Sequence, residues 1–153
     1  MSRELYSEEA EFGVLGAILQ SALQQNQALV DEALSSVTAA DFYFEDNAAL
    51  FQAIKDCYEE GIPVDPVTVG VVRDVLPSGA KLIPYAGNIA RNVPSVANWR
   101  TYVRHVRERS ILRCLIDTAE SVKASATDDR PLPEIIARAQ QAMADLRDLD
   151  DEA

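Results

Sequence analysis

Apolar positions recur along this chain at helical intervals, and the breaks between them divide it into a series of helices. Phe12, Leu15, Ile18, Leu19 and Ala22 share one side of a first helix. Ser7 is placed to cap it, and Glu8, Glu9 and Glu11 suit its positive end. Gly13 and Gly16 lower helix propensity there, so each is expected to admit another backbone at short range. A second helix is read over residues 27–36, with Val30, Ala33, Leu34 and Val37 on one side. After Asp41-Phe42-Tyr43-Phe44, the stripe Leu50, Phe51, Ile54 and Tyr58 predicts a third, ended by a left-handed Gly61 and by Pro63. Asp65-Pro66 is a cap followed by proline at the first helical position. The valines at 67, 69, 71, 72 and 75 also fit a strand, and the cap decides for a short helix.

A turn at residues 77–79 leads to a helix over 85–92, which Pro94 breaks, and Ser95 can cap the next helix. From Val96 to about Ala126 the pattern stays helical, with Tyr102, Val106, Leu112 or Arg113, Leu115, Ala119 and Val122 as its seam. Asp128, Asp129, Arg130, Pro131 and Pro133 form a polar turn. A last helix is read over about 133–147, with a seam of Ile135, Ile136, Ala139, Met143 and Leu146. The expected fold class is all-α: a compact helical head over 1–94 and a long antiparallel helical hairpin over 95–148, together one structural domain. Residues 149–153 are expected to fray as an acidic tail. A hairpin this thin cannot bury both seams by itself, so it should pack on a second copy or on a partner.

Composition narrows the function classes. The chain has 153 residues, 48% of them hydrophobic, enough for one domain with a real core. Its formal charge of -11 argues against a whole-surface attraction to DNA or anionic lipid, and an acidic domain more often meets proteins. There is no apolar run of about 18 residues and no secretory pattern, so neither a membrane span nor export is expected, and a cytoplasmic location is. Cys57 and Cys114 read as two buried thiols, with a disulfide as the alternative.

Candidate chemistry is sparse. None of the six glycines opens a phosphate loop with a following Lys-Ser or Lys-Thr, so the chain alone should not hydrolyse nucleotide. His105, the one histidine, has no cysteine or carboxylate at zinc-ligand spacing and reads as a surface or hairpin-packing residue. No enzyme active site, cofactor or metal is expected. Six of the fourteen basic residues, Arg91, Arg100, Arg104, Arg107, Arg109 and Arg113, fall in one short stretch. Arg100, Arg104 and Arg107 could meet phosphate or an acidic partner. The alternative is a solvated helix face with ion pairs such as Arg104 to Glu108.

Several segments, taken in order, resemble the amino-terminal domain of DnaB-type replicative helicases. They are EAEFGVLGAIL at 9–19, DFY at 41–43 with ALFQAI at 49–54, GIPVDPVTV at 61–69, and NVPSVANWRTYVRHVRERSILRCLI at 92–116. The chain departs from the family at Asn47, near which members often carry histidine. It departs again at Lys81-Leu82-Ile83-Pro84, where they carry a glycine pair. The family's ATPase half has no counterpart in this sequence.

The resemblance implies a non-catalytic domain whose hairpins pair and stack as a trimer of dimers on the helicase ring, and which receives the carboxy-terminal helical domain of primase. By the same resemblance Ile111, Leu112, Ile135 and Ile136 would face the partner, the first two opposite the last two. Tyr102, Val106, Leu115 and Met143 would pair hairpins or form plain hairpin core. Two other readings stand beside a collar and primase platform. One is a stand-alone mimic that binds the helicase ring, a loader or primase. The other is a single-strand DNA module built on the arginines, for which few stacking aromatics are at hand.

Overall fold

The computed structural model describes residues 3–151. Seven α-helices make up the fold among the described residues: α1 (Glu8–Leu23), α2 (Gln27–Ser36), α3 (Glu45–Glu59), α4 (Pro66–Val72), α5 (Leu82–Asn92), α6 (Trp99–Ser125) and α7 (Leu132–Asp151). Single 3-10 turns at Ala39–Asp41 and Val96–Asn98 lead toward α3 and into α6. The architecture is all-α, as the periodicity indicated.

Local signals set most boundaries. The Ser7 hydroxyl accepts the Ala10 N–H at 3.1 Å, and the Asp65 carboxylate accepts the Thr68 N–H at 2.8 Å. Each satisfies a donor that a helix start leaves without an intrahelical partner. Gly61 sits at φ +73°, ending α3 in the left-handed region. Helix α5 starts at Leu82, three residues before the sequence placed it. Pro84 is its third residue, where a missing N–H removes no intrahelical bond.

Helix α1 is the central post. Val14, Leu15, Ala17, Ile18 and Leu19 are all buried, so the helix is enclosed on every side rather than along one stripe. α2, α3, α5 and α6 pack around it. Both helical glycines mark where neighbours press in. A Cβ on Gly16 would lie 2.7 Å from the Val93 Cβ and 3.1 Å from the Ile89 carbonyl oxygen, so the backbone of α5 does come close. At Gly13 the intruder is a side chain: a Cβ there would lie 2.5 Å from the Tyr102 ring.

A polar node is buried among these helices. Glu11 accepts the Tyr43 N–H at 2.8 Å, the Phe44 N–H at 3.4 Å and the Asn47 amide at 3.0 Å. Tyr85 donates its hydroxyl to Asn47 at 2.6 Å. Burial pushes the Glu11 carboxyl above its usual pKa, against the Asn47, Tyr43 and Phe44 hydrogen bonds and the Arg113 charge. Burial, with the charges of Asp46, Glu8 and Glu11, raises the Tyr85 phenol to about 12.

Two expectations are corrected. Cys57 is buried but Cys114 is exposed, and both are free thiols. Helix α7 runs on through Asp151 instead of giving way to a frayed tail at 149. Its last turn is tied down from α6, where Arg107 donates to the Leu149 carbonyl at 2.9 Å. Residues 152–153 of the expected tail lie outside the described residues.

Candidate functional site

The two helices of the hairpin are held by different means. On α6, Trp99, Val103, Val106, Ser110 and Arg113 alternate four and three residues apart, so they share one face. Trp99, Val103 and Val106 are buried in the head's core. Ser110 donates its hydroxyl to the Asp41 carboxylate at 2.8 Å, and Arg113 donates to the Leu5 and Asp41 carbonyls at 2.7 and 2.8 Å. Apolar contact roots the helix, and hydrogen bonds finish the seam at the rim of the head.

Beyond Arg113, no described residue of α6 is fully buried, and the helix runs beside α7. Ile135, Ala139, Ala142 and Leu146 repeat at the same four-and-three spacing and are half-buried against α6. No described side chain of α7 is fully buried. Several other apolar residues of the hairpin face solvent: Leu115 is 38% exposed, Ile116 41%, Ile136 49%, Met143 48% and Leu132 68%. Leu132, Ile136 and Met143 lie four and seven residues apart, on one face of α7. This uncovered apolar face is the strongest surface feature of the hairpin.

The residues singled out in the sequence are distributed unevenly over it. Leu115 and Met143 lie on the exposed face, but Tyr102 and Val106 do not. Val106 is 2% exposed within the head's core, and Tyr102 lays its ring over Gly13. Both therefore join hairpin to head. Ile111 and Leu112 are half-buried, as is Ile135, whereas Ile136 is exposed. Ile111 and Leu112 do not lie opposite Ile135 and Ile136. Antiparallel packing brings Ile111 beside Asp150 and puts Val122 and Ser125 beside Ala139. The two pairs sit about 20 Å apart along the hairpin. The sequence did not mark Ile116 or Leu132 as surface candidates, although the spacing of Leu132 from Ile136 and Met143 carried that signal.

The arginines are largely committed inside the molecule. Arg100 pairs with Glu32 at 2.9 Å and lies 4.6 Å from the centre of the Trp99 ring. Arg107 donates to the Ser36 carbonyl at 3.1 Å as well as to Leu149. The expected Arg104–Glu108 pair does not form, because Glu108 pairs with Arg109 at 2.9 Å and Arg3 at 3.2 Å. Arg100, Arg104 and Arg107 do share a cleft of about 840 Å³ between the end of α2 and α6, together with Glu108 and Asp150. Mixed charge and internal bonding make it a poor track for a nucleic-acid backbone. His105 is exposed, and among the described residues no three His, Cys, Asp or Glu side chains gather as metal ligands. No described helix is long and apolar enough to cross a membrane.

Known proteins share both this sequence and this geometry. A family model for the DnaB-like helicase N-terminal domain matches residues 3–108, which include the head and the start of α6. The chain belongs to that family. Its DnaB relatives include the replicative DNA helicase DnaB of Pasteurella multocida, 32% identical over 78% of this chain and 25% of that protein. The DnaB of Geobacillus stearothermophilus is 34% identical over 78% of this chain and 27% of that protein, and the DnaB of Mycobacterium leprae 31% over 90% and 23%. This chain thus spans about a quarter of those helicases. The crystal structure of the N-terminal domain of DnaB helicase from Mycobacterium tuberculosis superposes with a TM-score of 0.79 at 28% identity, covering 93% of this chain and 99% of that one. The match is to the non-catalytic domain of a replicative DNA helicase.

Proposed function

We propose that this DnaB N-terminal domain is an assembly and docking platform of the replication machinery. Its hairpin pairs with a second copy, within a trimer of dimers in the collar of a helicase ring, and it receives the carboxy-terminal helical domain of primase. The observation that carries this reading is the uncovered apolar face of the hairpin, with Leu115, Ile116, Leu132, Ile136 and Met143 in solvent. Burying such side chains against another helix gains about 25 cal/mol per Å² of apolar surface, and the chain has no further described helix to cover them. The family membership supplies the setting, DNA replication. The internal commitments of Arg107 and Arg113 support a partner that is protein and not DNA.

The test is light-scattering mass after size exclusion, for the chain alone and mixed with the cognate primase's carboxy-terminal domain or with the intact helicase. A dimer that also forms a complex with the primase domain is the expected result. Capture by the helicase ring without primase binding would favour a stand-alone mimic, or a loader-like role. A monomer that ignores both would overturn the proposal.

A further inference from the structure

The last described turns of α7 are poorly balanced in charge by their own sequence. Asp145, Asp148 and Asp150 crowd its last turns, where the helix dipole is negative, and the last turn contains no basic residue. The missing cation comes from another element. The Arg107 guanidinium reaches from α6 to the Leu149 carbonyl at 2.9 Å and to the Ser36 carbonyl, the last residue of α2, at 3.1 Å. One side chain therefore binds the negative ends of two helices at once, one from the head and one from the hairpin.

The bond is also poised to open. Arg107 Nε is buried and has no partner among the described residues, so the closed arrangement gains two charge-assisted hydrogen bonds and keeps one donor dry. Release would return that donor to water. The side chain lines the 840 Å³ cleft, which leaves room for the end of α7 to lift away. The rest of α6 has no such choice, since Trp99, Val103 and Val106 hold it in the core.

We propose that Arg107 is a latch that holds the end of α7 against the head, and that opening it frees the last turns of α7 while α6 stays seated. This is independent of which partner the hairpin binds. It would matter for the direction of the chain: in the DnaB relatives this is the N-terminal domain and about a quarter of the length, so α7 leads toward the remainder.

Hydrogen exchange of the whole chain tests it, with Arg107→Ala, Arg107→Lys and Arg104→Ala compared with the parent. Arg107→Ala is expected to speed exchange of the amides at 146–150 by about tenfold and to leave 103–113 protected. Arg107→Lys, which keeps the charge but lacks the fork that spans both carbonyls, should give a smaller change. Arg104→Ala, in the same cleft, should give none. Unchanged exchange at 146–150 in both Arg107 variants would overturn the latch. So would an equal effect of Arg104→Ala, or a loss of protection spread evenly over the head.

Discussion

Glu11, on α1, accepts the backbone N–H of Tyr43 at 2.8 Å, just ahead of α3. The N-cap position of α3 is Phe44, and Glu11 binds the N–H of that residue at 3.4 Å as well as that of the residue before it, fixing the entry into the helix from outside. The same carboxylate holds the Asn47 amide and, through it, Tyr85 on α5. Three helices are thus registered by one buried acid.

Removing that acid should therefore cost more than an ordinary cap. Glu11→Ala leaves the Tyr43 and Phe44 N–H groups and the Asn47 amide without their acceptor inside the head. A loss of about 2–4 kcal/mol in unfolding free energy is expected by urea titration. A loss below about 1 kcal/mol would show that water replaces the carboxylate without penalty.

Tyr85 gives the node a signature at alkaline pH. Its phenol ionises near 12 in the folded chain and near 10 when unfolded, so between those values only the unfolded chain has lost the proton. Stability contributed by Tyr85 is full below the unfolded value and falls as pH rises through this window. Tyr85→Phe removes the effect. Its deficit relative to the parent should shrink by about 1 kcal/mol between about pH 8 and pH 11, discounted for the half-exposed ring. Urea midpoints that shift in parallel at both pH values would contradict it.

Gly13 and Tyr102 should behave as a pair. Gly13→Ala raises helix propensity yet drives a methyl group into the Tyr102 ring, so a net loss of about 1–3 kcal/mol is expected. Adding Tyr102→Ala removes the obstacle, and a double-mutant cycle should return a coupling of about 1 kcal/mol or more. Additive effects would mean that the ring moves aside freely.

Ile136→Asp and Met143→Asp separate folding from association. Both side chains are about half exposed and lie outside the head's core. Each change should alter unfolding free energy by less than about 1 kcal/mol while weakening dimer or primase complexes at least tenfold. Complexes of unchanged mass and affinity would move the docking face elsewhere.

Elements with local punctuation were legible in the sequence. Ser7, Asp65-Pro66 and Gly61 act on neighbours within one turn, and the structure puts helix ends beside each of them. The start of α5 was less legible: the helix begins at Leu82, and its N-cap position, Lys81, makes no side-chain cap hydrogen bond that would mark it. The arginine cluster was visible only as charge. Arg107 and Arg113 bind backbone carbonyls, at Leu5, Ser36 and Asp41 about seventy or more positions away and at Leu149 42 positions away, and every residue type has a carbonyl. Burial of Glu11 was hidden for a related reason. An acid in the first turn reads as dipole complementarity, and nothing within α1 reveals that α3 lies over it. The hairpin seams repeated plainly in the pattern, but which seam met the head depended on contacts that no window of sequence contains.

The rooting of α6 turns the hairpin into a lever. Its fulcrum is the stretch Trp99–Arg113, clamped to the head, and its free arm runs twelve residues further to Ser125, about 18 Å. A tilt of about 10° at the fulcrum would swing the tip by about 3 Å, enough to seat or unseat a side chain. Small rearrangements around α1, too slight to disturb the core, would reach Leu132 and Ile136 magnified.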